Sequence, residues 1–199
     1  MSVTVTQNTQ TVEIVDQQQA VTVAPVTQSV TISTVGTQGI QGEPSPRYYG
    51  AFQDSTTQTI ASTTTAYTMT FNTTDISNGV ALGTPTSRMV VTNAGVYNMQ
   101  WSGQFENTDN QDQDVTVWIR VNGVDVVGSA GKVAVPARHG AINGHCIAAW
   151  NYLVSLTANQ YVELVWSATN TAVALEAYAA SGSPTKPSVA SVIATMVLA

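Results

Sequence analysis

Glycine returns at every third position in Gly36-Thr37-Gln38-Gly39-Ile40-Gln41-Gly42-Glu43-Pro44, and no other feature of the chain restricts its fold as much. A Gly-X-Y run is stable only when three chains wind together, because only glycine fits at their crowded common axis. Three such triplets are too few to hold a trimer unaided, so the segments on either side must already be threefold. Pro44 fills the third place of its triplet, where collagen favours imino acids, and Ser45 ends the register where the next glycine is due. Gly36, Gly39, Gly42 and Pro44 are therefore expected to line a trimer neck over residues 36–46, and the chain is expected to be a homotrimer.

Upstream, Val3 and Val5, Val12 and Ile14, Val21 and Val23, and Val30 and Ile32 form four pairs of β-branched residues, each displaced from the last by nine positions. An apolar-x-apolar triplet presents two side chains on one face of a short strand, and the polar residues that follow can turn the chain. No single repeat buries its own face. Stacking the repeats, or winding three chains together, creates a continuous apolar axis. Residues 1–35 are thus expected to be a β-stalk or anchor with those eight side chains on its axis. Disordered chains are poor in β-branched residues, which argues against an unstructured Thr/Gln tail. The repeat lacks the glycines and aspartates of calcium-binding nonapeptide rolls, so a metal-dependent roll is disfavoured.

From Arg47 to Ala199 the pattern is all-β. Tyr67–Asn72, Met89–Thr92, Val96–Phe105, Asp114–Val121, Val124–Val127, Ala149–Leu156, Tyr161–Ala168 and Ser188–Leu198 alternate or run apolar between Gly, Asn, Asp and Pro punctuation. Asn122-Gly123 is a strong hairpin signal, since both residues tolerate positive φ. Many short strands of this kind predict a β-sandwich or jelly roll for the head, residues 47–199.

Composition removes several function classes. Only 9% of the residues are charged, the net charge is −6, and the six Lys and Arg are scattered, so no basic stripe is available to bind nucleic acid. The lone Cys146 excludes an intrachain disulfide and a multi-cysteine zinc site. The N-terminus has no basic, apolar leader pattern, and Val189–Ala199 is shorter than the roughly 20 residues of a membrane helix, so neither export nor membrane insertion is expected.

Candidate chemistry is sparse. His139 and His145, with Cys146 adjacent, lie six apart in a Gly-rich stretch, which does not supply a four-ligand site, so they are expected to be loop or core residues. Cys146 would face away from His145 on a strand, which leaves its thiol poorly placed for activation. No serine elbow accompanies either histidine, and the chain is expected to be non-enzymatic, without metal or cofactor. One acidic run, Glu106 to Asp114, offers Asp109, Asp112 and Asp114, either as a solvated hairpin loop or as an oxygen-rich calcium or ligand loop near a trimer apex. Trp101, Trp118, Trp150 and Trp166 all fall in predicted strands and suit packing rather than sugar stacking.

Several segments in order resemble one family. Asn93-Ala94-Gly95-Val96-Tyr97-Asn98-Met99-Gln100-Trp101-Ser102 resembles the G-x-Y strand of complement-head and tumour necrosis factor-like domains. Val117-Trp118-Ile119-Arg120-Val121-Asn122-Gly123 resembles their hairpin, and Leu153 to Val165 the following strand pair, with Ala158-Asn159-Gln160 in place of the usual Gly-Asp turn. Pro187-Ser188-Val189-Ala190-Ser191-Val192-Ile193 is similar to the ending of bacteriophage versions. The resemblance implies a ten-stranded jelly roll packed as a trimer behind a collagen-like or fibrous stalk, and phage members are similar to fibre knobs and capsid decorations.

Two readings follow. In one, the chain is a trimeric capsid decoration (cement) or head-fibre protein, made in the host cytoplasm and placed on the virion surface, whose N-terminal segment grips the major capsid protein or another virion protein. In the other, it is the receptor-binding knob of a short tail fibre that recognises a host-surface glycan. The shortness of the stalk favours the first.

Overall fold

The computed structural model describes residues 47–199. The stalk expected over residues 1–35 and the neck at Gly36, Gly39, Gly42 and Pro44 lie outside the described residues. The head is all-β, as its patterning predicts. Among the described residues no helix is present, and so none long and apolar enough to cross a membrane.

The strands in chain order are β1 (Tyr49–Asp54), β2 (Gln58–Thr59), β3 (Tyr67–Thr68), β4 (Thr73–Asn78), β5 (Val80–Leu82), β6 (Met89–Val91), β7 (Gly95–Asn107) and β8 (Gln113–Val121). They continue with β9 (Val124–Asp125), β10 (Gly131–Val135), β11 (Gly144–Leu156), β12 (Tyr161–Ala168), β13 (Val173–Leu175), β14 (Ser181–Gly182), β15 (Thr185–Lys186) and β16 (Val192–Leu198). Two large sheets face each other, and β14 and β15 form a small separate hairpin.

In the first sheet β7 is the hub. It pairs antiparallel with β11 along its whole length, from Gly95 opposite Leu156 to Asn107 opposite Gly144. On its other side it pairs first with β16 and then with β13, while β1 and β4 extend the sheet beyond β16. The second sheet runs β10-β8-β12-β6-β5, with β3 beside β12 and β9 folded back on β8.

Period-two alternation divides β7 cleanly. Tyr97, Met99, Trp101 and Phe105 point inward and are buried. They meet Val117, Ile119, Leu164 and Trp166 from the second sheet in one apolar core. Phe105 and Trp166 join the layers with ring centroids 5.7 Å apart, and Trp101 stacks on its cross-strand partner Trp150 at 5.3 Å. Of the tryptophans read as packing residues, Trp101 and Trp166 are buried, Trp150 packs partly buried against the core, and Trp118 donates its Nε1–H to Asp125 at 2.9 Å.

The G-x-Y segment has a physical explanation here. Tyr97 is fully buried and its hydroxyl donates to the Asn93 carbonyl at 2.9 Å, so the ring is anchored at both ends. Asn122 and Gly123 adopt φ of 48° and 82°, the left-handed pair that a tight hairpin between β8 and β9 requires. Asn159, in the turn between β11 and β12, takes φ of 66°, so asparagine supplies there the conformation that glycine more often provides.

Three predicted strands are only partly ladders: Val124–Val127 pairs as Val124–Asp125, Ser188–Leu198 as Val192–Leu198, and the third changes sheet. Tyr67–Asn72 keeps Tyr67–Thr68 as β3, after which the Met69 amide bonds to Leu164 of the second sheet and the Asn72 amide to Gln53 of the first. The alternation is real, since Met69 and Phe71 are buried. The segment crosses from one sheet to the other, so no continuous partner strand is available to it.

Candidate functional site

Strand alternation that buries one face of the first sheet turns the opposite face outward. On β7 the outward positions are Val96, Asn98, Gln100, Ser102, Gln104 and Glu106. On β11 they include His145, Ile147, Ala149, Asn151 and Leu153, and on β16 Ile193, Thr195 and Val197. Ile147 and Leu153 are 66% and 68% exposed, and Val96, Ile193 and Val197 are also exposed. Within these positions the only carboxylate is Glu106. The face is a low-charge field of aliphatic and amide side chains, scored by shallow depressions of about 240 Å³ beside Ile193 and about 300 Å³ between Tyr49, Ile76 and Val197.

At one end of this face a polar cluster is assembled from three chain segments. The β7–β11 register sets Glu106 directly opposite His145. On the other flank the chain leaving β13 is held by a hydrogen bond from the Glu176 amide to the Gln104 carbonyl, 2.8 Å. The ligand-capable atoms of Glu106, His145 and Glu176 all lie within 4.8 Å of one another. Asn143 Nδ2 donates to Glu106 Oε1, and the Tyr178 hydroxyl donates to Glu176 Oε2 at 2.7 Å.

The same hydroxyl lies 3.2 Å from His145 Nδ1. A phenol hydroxyl can donate once and also accept, so Tyr178 links the Glu176 carboxylate to the imidazole. Burial and the adjacent Glu106 push the Glu176 carboxyl up to about 7, against the opposing pull of the Tyr178 hydrogen bond. Burial, followed by the neighbouring Glu176 carboxylate, likewise raises the Tyr178 phenol well above its usual value.

The acidic run is organised differently from this cluster. Asp109 Oδ2 accepts from Gln113 Nε2 at 2.6 Å and Asn170 Nδ2 at 2.9 Å. Asp112 Oδ1 accepts from the Ala137 amide at 2.7 Å, and Asp114 pairs with Lys132 at 2.6 Å. The three carboxylates thus take separate partners, and among the described residues they do not form a three-ligand group. Asn107, fully buried, organises the loop: its Nδ2 donates to the carbonyls of Gln111 and Pro136, and its Oδ1 accepts from the Asp109 amide.

Of the residues singled out for chemistry, His145 sits on β11 with its side chain exposed, and His139 lies in the loop before that strand. Cys146 faces the core side, opposite His145, and burial pushes its thiol up. Glu176 and Tyr178 were not legible as partners of His145, because nothing in their local sequence marks them. Only the topology, which brings β13 against β7, unites them.

No family model matches this chain, and no curated protein matches it.

Proposed function

We propose that the protein is a non-enzymatic structural component of a bacteriophage virion. In this reading it is a homotrimeric capsid decoration or head-fibre protein, attached through residues 1–46 and displaying a jelly-roll head at the particle surface. The observation that carries the proposal is the outward face of the first sheet. Its exposed Val96, Ile147, Leu153, Ile193 and Val197 surround uncharged amides and hydroxyls, and such a face is stabilised by association with further copies of itself.

Strand order supports the jelly-roll reading. Within the two seven-stranded sheets, the hydrogen-bonded paths β4-β1-β16-β7-β11 and β10-β8-β12-β6-β5 each run through five strands, and the first strand lies beside the last. A ten-stranded jelly roll is the fold implied by the resemblance to tumour necrosis factor-like heads. The virion placement rests on that resemblance together with the nonapeptide repeat and the glycine triplets. The expected partner is the major capsid protein or another virion protein, met after synthesis in the host cytoplasm.

Binding to emptied capsids tests this reading. The intact protein is expected to bind them, and a chain lacking residues 1–46 is expected not to. If the shortened chain instead binds host cells and blocks infection, the protein is a receptor-binding knob directed at a surface glycan, and the decoration reading fails.

A further inference from the structure

We propose that Glu106, His145 and Glu176 form a binding site for one divalent transition-metal ion, with Zn²⁺ as the best fit, and that Tyr178 and Asn143 hold its ligands in place. The site lies within a single chain. It does not depend on the trimer or on the virion reading.

Three observations carry it. First, the donor set is mixed: one imidazole and two carboxylates whose ligand atoms already lie within 4.8 Å of one another. Zinc bonds of about 2.0–2.2 Å put tetrahedral ligand atoms about 3.4 Å apart, so the side chains need close by at most about 1.4 Å. Calcium and magnesium favour all-oxygen shells, whereas imidazole with carboxylate suits zinc and its neighbours.

Second, two carboxylates are brought side by side with no cation to offset them. The ion pairs among the described residues engage Glu163, Asp125 and Asp114, and none involves Glu106 or Glu176. Third, the outer groups suit ligation. Asn143 donates to Glu106, and Tyr178 donates to Glu176 Oε2 while its hydroxyl lies 3.2 Å from His145 Nδ1, so neighbouring groups hold all three ligand side chains in place. Three protein ligands leave a fourth position for water or for a donor from a binding partner.

The test uses the intact protein, stripped with EDTA, dialysed and titrated with Zn²⁺ by calorimetry, with visible absorption of the Co²⁺-loaded protein as a second readout. One ion per chain is expected, with a tetrahedral Co²⁺ spectrum. Tyr178→Phe should weaken binding about 10-fold or more, as removal of outer-shell partners does. His145→Ala and Glu176→Gln should weaken it further and abolish the Co²⁺ bands, whereas His139→Ala and Cys146→Ser should bind like the parent. Circular dichroism of each metal-free variant checks that it is folded. The inference is overturned if the parent binds no stoichiometric ion, or if a folded His145→Ala/Glu176→Gln double variant binds it as the parent does.

Discussion

Glu176 is half-buried beside a second carboxylate, and its carboxyl titrates at about 7 in the fold against 4.5 in the free side chain, burial being the larger cause and Glu106 the next. Between those values the folded chain holds a proton that the unfolded chain has released. The stability this group contributes is therefore present below about pH 4.5 and is lost as pH rises through about 7. In chelator-containing buffer, Glu176→Gln should remove that loss, so its melting temperature should gain on the parent's as pH rises across the window. A difference between the two that stays constant from pH 4 to pH 8 would contradict the assignment. Glu106 and His145 were individually visible in the sequence, but their pairing depends on the β7–β11 register. That register is set by two long strands whose connection is too long to fix it locally.

Elements differ in how plainly the sequence announces them. β7, β8 and β12 were legible because apolar residues alternate or run through them, and the β8–β9 turn because Asn122-Gly123 has no better use. β1 was not, since Gly50 and Asp54 occupy two of its three inward positions and only Phe52 signals the core. β4 was hidden for a different reason: it is a polar edge strand, Thr-Thr-Asp-Ile-Ser-Asn, with no buried face to read. The β8–β9 hairpin gives the direct check on this scale. It is fastened by Arg120 and Trp118 on Asp125, and these bonds, Arg120 first, hold the Asp125 carboxyl below its usual value. Gly123→Val forces a β-branched residue into φ of 82° and should cost about 1–2 kcal/mol, read as a lower denaturation midpoint with an unchanged slope. A variant as stable as the parent would show that the turn does not set the hairpin.

For the whole molecule, the question is what covers the outward face of the first sheet. Its aliphatic side chains sit on the central strands β7 and β16 and the adjoining edge strand β11 rather than on loops, so they form an ordered surface suited to a symmetric contact. Charging that surface with Ile147→Asp and Leu153→Asp buries nothing in the isolated head, because both side chains are exposed, so the fold should survive while self-association fails. Native mass spectrometry of the intact protein tests the central claim most directly. A mass three times the 20.9 kDa of one chain, falling to that of one chain in the folded Ile147→Asp/Leu153→Asp variant, is the predicted result. An intact protein found only at 20.9 kDa at micromolar concentration would contradict the trimer, and with it the reading of the glycine triplets as a threefold neck.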